Sequence, residues 1–211
     1  MKPQFELTLH NCTKSYNNHE LVFSPCSFEL HNGEIIGITG WNGSGKSTLM
    51  KMAGGLLKPS SGIIQLRIHN DVYNYGEFSD HIGLVSPYLQ VYEEFTPLEH
   101  AKIFCDLSGI QFDISYTDEL LSIMGLFHKR NETIRNFSSG MKQRMKYILA
   151  FLRKPLIVLL DEPTANFDSK GTEAIYKLIN THKNMGGGTI IATNDISETE
   201  ICSSVIHLTT L

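Results

Sequence analysis

A glycine-rich octapeptide early in the chain has the residue types and spacing of a phosphate-binding loop. Gly40 to Ser47 reads Gly-Trp-Asn-Gly-Ser-Gly-Lys-Ser and matches G-x-x-x-x-G-K-[ST]. Glycines let the backbone curl so that N–H groups point at phosphate oxygens, and a helix starting there adds the positive end of its dipole. Lys46 can reach the β- and γ-phosphates, and Ser47 can offer a hydroxyl to Mg²⁺. The alternative is a chance glycine-rich turn, which the flanking predicted strand and helix disfavour.

A pair of acids follows the apolar run Leu156–Leu160. Carboxylates at the C-terminal end of a strand lie in the crevice where open α/β sheets bind ligands. Asp161 is therefore predicted to hold the Mg²⁺ shell. Glu162 is predicted to polarise the attacking water and to accept its proton. A solvated Asp-Glu pair at a turn is the alternative.

Short apolar runs alternate with helical stretches along the chain, which predicts a mostly parallel sheet covered on both faces. We predict one α/β domain over 1–211, with an N-terminal antiparallel β region and a helical subdomain inserted at about 87–153. Helices are predicted from about Lys46, within Pro97–Arg153, around Ser169–Met185 and near Ile196–Cys202. The predicted strands are Phe5–Leu9, Ser27–Leu30, Glu34–Thr39, Ile63–Ile68, Ile82–Val85, Leu156–Leu160, Thr189–Thr193 and Val205–Leu208.

Composition limits the function classes. The net charge of −4 and the lack of a long Lys/Arg run argue against a nucleic-acid partner. No apolar run approaches the roughly 20 residues of a spanning helix, and the N-terminus lacks a signal-peptide core. Four widely spaced cysteines fit a reducing, intracellular compartment and argue against a metal cluster. If the protein moves a solute across a membrane, another chain must supply the path.

Taken together, the motifs resemble those of the ATP-binding-cassette (ABC) ATPases, in the order of that family and over nearly the whole chain. Besides the phosphate loop, Phe137–Arg144 resembles the family signature Leu-Ser-Gly-Gly-Gln, and Asp161–Thr164 resembles the family's acidic strand end. Ala165–Asp168 resembles the loop that follows it. Tyr16 resembles the aromatic residue that stacks on adenine.

The resemblance implies a P-loop NTPase fold that binds ATP and Mg²⁺, and the absence of Asn-Lys-x-Asp also favours ATP over GTP. Ser138, Ser139 and Gly140 open a helix and can offer hydroxyl and N–H groups to an anion. In the family, two subunits sandwich two ATPs, each signature facing the partner's phosphate loop; an ordinary serine N-cap is the alternative. The nucleotide-binding residues are then Tyr16, Trp41, Asn42, Gly43, Ser44, Gly45, Lys46, Ser47, Thr48, Ser138, Ser139 and Gly140.

Two positions depart from the family pattern. Pro87 stands where the family has a glutamine that touches Mg²⁺ and the attacking water, and Gln90 is the candidate substitute. Asn194 stands where the family has a histidine, and an asparagine donates hydrogen bonds but carries no proton at neutral pH. We predict slow but real hydrolysis with Glu162, Lys46 and Asn194 as the catalytic set. The predicted metal ligands are Ser47, Asp161 and Gln90.

The resemblance predicts the ATP-hydrolysing subunit of an ABC transporter, which pairs with a second nucleotide-binding subunit and drives a separate transmembrane permease from the cytoplasmic face. In the family, the region of Tyr88, Tyr92 and Phe95 forms part of the groove that receives the permease; alternatively, these rings fill the core of the insertion. Two other functions stay open: a clamp that dimerises on ATP but barely hydrolyses it, and a soluble cassette that acts outside transport. The transported substrate is not encoded in any of these motifs.

Overall fold

The protein is built on two β-sheets, seen in a computed structural model that describes residues 2–16, 20–86 and 89–209. An antiparallel sheet has the strand order β2-β1-β4-β5, and a parallel sheet has the order β6-β7-β8-β3-β9. In chain order the strands are β1 (Phe5–Thr13), β2 (Cys26–His31), β3 (Ile35–Thr39), β4 (Ser61–Ile68), β5 (Asp71–Asn74), β6 (Ile82–Val85), β7 (Ile157–Asp161), β8 (Gly188–Ala192) and β9 (Ser204–His207).

The central strands are apolar throughout because both faces of the parallel sheet are covered. In β3, Ile36 and Ile38 point into the core shared with the antiparallel sheet, whereas Ile35 points into the core shared with the helices. Strand β7 repeats this division, with Leu159 on the first side and Leu160 on the second. By contrast, β1 alternates, because only one face of the antiparallel sheet packs against this core.

Except for the helix that follows Gly45, the α-helices of the described residues begin after a Thr, Asp or Ser whose side chain accepts a hydrogen bond from the first turn. The helices are α1 (Lys46–Ala53), α2 (Pro97–Leu107), α3 (Ile114–Ile123), α4 (Ser139–Leu152), α5 (Ser169–Asn184) and α6 (Ile196–Glu200). Thr96 and Glu99 form a reciprocal capping box at α2, with Pro97 at the first helical position. Asp168 caps α5 by accepting a hydrogen bond from Gly171 N. Within the described residues, we find no helix with the length and apolar content needed to cross a bilayer.

The stretch from α2 to α4 lies between two strands, β6 and β7, that pair directly with each other in parallel. Its apolar side chains share one core with β7 and α5, including Leu121, Met145 and Ile148, all fully buried. This packing fixes where α4 begins, and therefore where Ser138 to Gly140 sit relative to the sheet.

A buried histidine in α5 is expected to make the stability of the fold depend on pH. His182 is only 4% exposed, and burial, with a smaller effect of Lys2, lowers the pKa of its imidazole to about 4. The unfolded pKa is about 6.5, so the unfolded chain binds more protons as the pH falls from 6.5 to 4, and stability is lost over that window. Between pH 7 and pH 5 we expect this group to cost about 2 kcal/mol in the free energy of unfolding.

Urea unfolding of the wild type and of His182→Gln at both pH values checks this expectation. The variant should lose about 2 kcal/mol less than the wild type on acidification. His128→Gln, at an exposed position, is the matched control and should follow the wild type. An equal loss in wild type and His182→Gln would contradict the assignment.

Candidate functional site

The phosphate loop joins β3 to α1 at the C-terminal edge of the parallel sheet. Gly40, Gly43 and Gly45 have φ angles of 151°, 91° and 95°, conformations that side chains disfavour. A Cβ on Gly40 would lie 2.6 Å from Ser44 Oγ, and one on Gly45 would lie 2.7 Å from Phe23 Cδ1. Glycine is therefore required at these two positions both for backbone conformation and for space.

The polar groups of the loop fit a phosphate ligand. Lys46 is 7% exposed, and its Nζ donates to the carbonyl oxygens of Gly40 at 2.7 Å and Trp41 at 3.1 Å. Ser44 Oγ is buried and has no hydrogen-bond partner among the described residues. A buried hydroxyl without a partner is costly, so its place inside the loop is consistent with a bound anion.

The predicted metal ligands on α1 and β7 lie side by side. Ser47 Oγ donates to Asp161 Oδ2 at 2.9 Å, although the two residues are 114 positions apart in the sequence. The parallel sheet brings them together because β3 and β7 both end at this edge, each beside β8. A hydroxyl and a carboxylate oxygen are the donor types that Mg²⁺ takes from proteins beside phosphate oxygens, so the pair fits that ion.

Glu162 follows β7 in a left-handed backbone conformation, with a φ of 49°. Its N–H donates to the carbonyl of Ala192 at 2.8 Å, and its side chain is exposed. Glu162 and Asp161 line a cavity of about 130 Å³. Gln143 from the signature segment also lines it, as do Ala165 and Asn166 from the loop after the acids. The remaining lining residues, to which the sequence assigned no role, are Val85, Ser86, Lys146 and Tyr147.

The side chains from α4 in this cavity have a recognisable pattern. Gln143 and Tyr147 are four residues apart, so they share one face of the helix, and Lys146 extends that face. Burial lowers the pKa of the Lys146 amine. Helical spacing after the signature predicts which face of α4 these residues occupy, but only the tertiary structure shows that this face meets Glu162.

Asn194 follows β8 and contacts the phosphate loop. Its side chain lies 3.1 Å from Asn42 Oδ1. The amide orientation that matches its neighbours puts its oxygen 3.3 Å from Lys46 Nζ and lets its nitrogen donate to the carbonyls of Gly40 and Thr193. The structure therefore brings Asn194 and Lys46 together at the mouth of the loop.

Gln90 lies elsewhere. It is exposed and lines a groove of about 320 Å³ with Leu89, Tyr92 and Phe104, rather than the cavity that contains Asp161. Because Gln90 and Asp161 line different cavities, the structure does not support Gln90 as a metal ligand. Pro87 and Tyr88, the other two residues singled out in this segment, are outside the described residues.

Tyr16 is 64% exposed, and Lys14 Nζ lies 5.5 Å from its ring centroid. Strand β1 ends shortly before Tyr16, and Val22 and Phe23, further along the chain, pack near Gly45. The ring is therefore open to solvent and available for stacking. Its contact with adenine remains a prediction.

The signature serines stand at the start of α4. Ser138 Oγ accepts a hydrogen bond from Met141 N at 3.3 Å, which caps the helix. Ser138 and Ser139 are exposed, and Thr48 continues α1 behind Ser47. The N-terminal end of α4 thus presents its cap, two hydroxyls and Gly140 at the surface.

Comparison with known proteins decides the family. The model of the family described as ABC transporter matches residues 23–165. The chain belongs to the ABC transporter family. Among its curated relatives is the lipoprotein-releasing system ATP-binding protein LolD of Shewanella oneidensis, 32% identical over 201 residues that cover 90% of this chain and 87% of the relative.

Solved structures agree with this assignment. An ATP-binding subunit of an ABC transporter aligns with a TM-score of 0.82 and 26% identity, over 96% of this chain and 85% of that one. The ATP-binding cassette MJ0796, solved as a dimer in a post-hydrolysis state with ADP and Pi, aligns with a TM-score of 0.81 and 25% identity, over 96% and 94%. The predicted family and the P-loop NTPase fold are confirmed, and the protein is an ATP-binding subunit of the ABC transporter class.

Proposed function

We propose that this ABC protein hydrolyses ATP and drives a separate transmembrane permease, at the cytoplasmic face of a membrane, through ATP-dependent closure of a dimer of nucleotide-binding subunits. The observation that carries the proposal is the contact of 2.9 Å between Ser47 and Asp161. This contact supports a metal site formed by the Ser47 hydroxyl and the Asp161 carboxylate, next to Glu162 and the glycine-rich loop.

Each residue of the site has a distinct task in this proposal. The loop N–H groups and Lys46 bind the β- and γ-phosphates and neutralise their charge. Mg²⁺, held by Ser47 and Asp161, would add positive charge where the phosphates meet. Glu162 accepts the proton of the attacking water. Asn194 donates a hydrogen bond to the γ-phosphate. Its amide oxygen also accepts a hydrogen bond from Lys46, which keeps the lysine directed at that phosphate.

The start of α4 supports a second copy of the chain. A Cβ on Gly140 would meet nothing within 4 Å, so packing inside this chain does not require glycine there. A bare backbone at an exposed helix start leaves N–H groups accessible to an anion held by another molecule. The dimeric structure of MJ0796 with ADP and Pi is a precedent for this arrangement in a similar cassette.

We expect Ser139→Glu to abolish ATP-dependent dimerisation while leaving ATP binding by the monomer unchanged. A carboxylate at this position would repel the γ-phosphate bound by the partner and so prevent closure. Ser169→Glu is the matched control, because Ser169 is likewise the exposed first residue of a helix after its N-cap. Light scattering with and without Mg-ATP, in a Glu162→Gln background that preserves bound ATP, measures both. Equal dimerisation of the two variants would contradict the proposed interface.

The groove containing Gln90 supports a membrane partner. Tyr92 is 66% exposed, whereas Phe95 is half-buried. Both rings pack on His100, with centroids 5.7 Å and 6.2 Å from it. Only Tyr92 also lines the groove, so it is the ring available to a partner. We propose that the permease docks in this groove.

Asn194 favours a second candidate function, an ATP-gated clamp with little hydrolysis. The two functions predict different responses to Asn194→His. If Asn194 only positions Lys46 and the phosphate, the single-turnover rate should change by less than about tenfold, whereas a missing acid–base group would be restored with a gain of about 10²–10⁴-fold. We expect the smaller change, because Glu162 is intact. A hundredfold gain would favour the clamp.

A further inference from the structure

The segment that follows Glu162 is held from two opposite sides. Thr164 N–H donates to Glu198 Oε1 at 2.8 Å, and the Thr164 hydroxyl donates to the same oxygen. From the other side, the Tyr147 hydroxyl donates to the carbonyl of Pro163 at 2.6 Å. Pro163 is bonded directly to Glu162, so the two contacts restrain the peptide that carries the candidate base.

Both groups that hold this segment are buried. Glu198 is 1% exposed and Tyr147 is 2% exposed. Glu198 Oε2 has no hydrogen-bond partner among the described residues. The two hydrogen bonds from Thr164 are therefore the hydrogen bonds found there for this buried carboxylate. Burying an ionisable group in this way is costly. Both hydrogen bonds to the Glu198 carboxylate come from Thr164. This indicates that the role of Glu198 is to hold the segment that contains Thr164.

Each of the two groups comes from a helix that begins at or near other predicted site residues. Tyr147 lies in α4, whose first turn carries Ser139 and Gly140. Glu198 lies in α6, which begins two residues after Asn194. Contacts from α4 and from α6 therefore meet at Pro163 and Thr164, the two residues that follow Glu162.

We propose that Glu198 and Tyr147 are positioning residues for Glu162. They hold Pro163 and Thr164 so that Glu162 keeps the left-handed backbone that aims its carboxylate at the attacking water. Such a strained conformation persists only where its surroundings enforce it. This inference rests on the proposed role of Glu162 in ATP hydrolysis.

The test compares single-turnover hydrolysis at saturating Mg-ATP with ATP affinity. Glu198→Ala and Tyr147→Phe are expected to lower the hydrolysis rate by roughly 10–100-fold while changing the Kd for ATP by less than about threefold, because a small displacement of a catalytic group reduces rate rather than binding. Glu198→Gln keeps an oxygen that can accept from Thr164 and should recover most of the rate. Tyr176→Phe is the matched control for Tyr147→Phe, since the buried Tyr176 hydroxyl finds no hydrogen-bond partner in the part of the chain that the structure describes.

A second measurement separates this inference from the proposed function. Amide hydrogen exchange of the peptide containing Thr164 should be at least about tenfold faster in Glu198→Ala than in the wild type, since the N–H loses its acceptor. If the wild type hydrolyses ATP no faster than Glu162→Gln, the proposed function fails. Amide hydrogen exchange then decides by itself whether the contact between Glu198 and Thr164 restrains the loop. Unchanged exchange, or an unchanged rate in an active enzyme, overturns the inference. Should Glu198→Ala fail to fold, Thr164→Val, with Thr164→Ser as its control, makes the same comparison by removing the hydroxyl donor.

Discussion

Replacing Glu162 with glutamine is expected to lower the single-turnover rate of ATP hydrolysis by roughly 10²–10⁴-fold, because the amide cannot accept the proton of the attacking water. ATP binding should persist, since the groups proposed to hold the phosphates are the loop, Lys46 and the Ser47–Asp161 pair, which the substitution leaves in place. The measurement is phosphate release from enzyme in excess over ATP, with nucleotide affinity determined in parallel. A wild-type rate no higher than that of Glu162→Gln would end the proposal of hydrolysis.

The backbone at Glu162 supplies a control for this experiment. Glutamine keeps the same left-handed conformation, with its φ of 49°, so Glu162→Gln alters the chemistry and leaves the strain in place. Glycine adopts such angles freely. We therefore expect Glu162→Gly to be equally inactive but about 1 kcal/mol more stable to urea. Loss of rate together with a gain of stability would show that the strain belongs to function rather than to folding.

Sequence reasoning located the parts of the site that are local in the chain. The phosphate loop is a continuous segment, and its glycines, Lys46 and Ser47 act through backbone geometry that eight residues determine almost alone. Asp161 could be placed because an apolar strand ends there and parallel strands share an edge. Ser47 and Asp161 both follow or end parallel strands that finish at one edge of the sheet, which is why two distant motifs could be expected to meet there.

The residues that sequence reasoning missed act across the fold. Lys146 resembles an ordinary polar position on a helix, and Glu198 resembles an exposed acid in a short helix. Their roles depend on which face of α4 and α6 packs over β7, and periodicity alone does not determine that. Strand β5 was missed for a simpler reason. Asp71–Asn74 is short and largely exposed, so it carries little hydrophobic pattern.

The substituted positions show where motif matching fails. Gln90 is the nearest glutamine after Pro87, but it lines the groove with Leu89 and Tyr92 rather than the cavity that contains Asp161. Distance along the chain is a poor guide once a segment leaves a strand. Asn194 shows the opposite: its residue type differs from the family pattern, yet it lies beside Lys46 and Asn42 at the phosphate loop.

Replacing Lys46 with alanine is expected to weaken ATP binding by at least about 10²-fold. Each hydrogen bond between an ionised donor and a phosphate contributes about 1.5–3 kcal/mol, and the side chain also supports the loop through the carbonyls of Gly40 and Trp41. Those two carbonyls lose their donor in the variant, so the loop itself should become less ordered.

The chain offers a direct probe and a matched control for this measurement. Trp41 is the single tryptophan of the protein, it lies in the phosphate loop, and it is 75% exposed, so its fluorescence should change when nucleotide orders the loop. Lys51→Ala removes an exposed lysine from the same helix and should bind ATP like the wild type. If Lys46→Ala and Lys51→Ala titrate with the same Kd, the phosphates are not held by this loop, and the site must lie elsewhere.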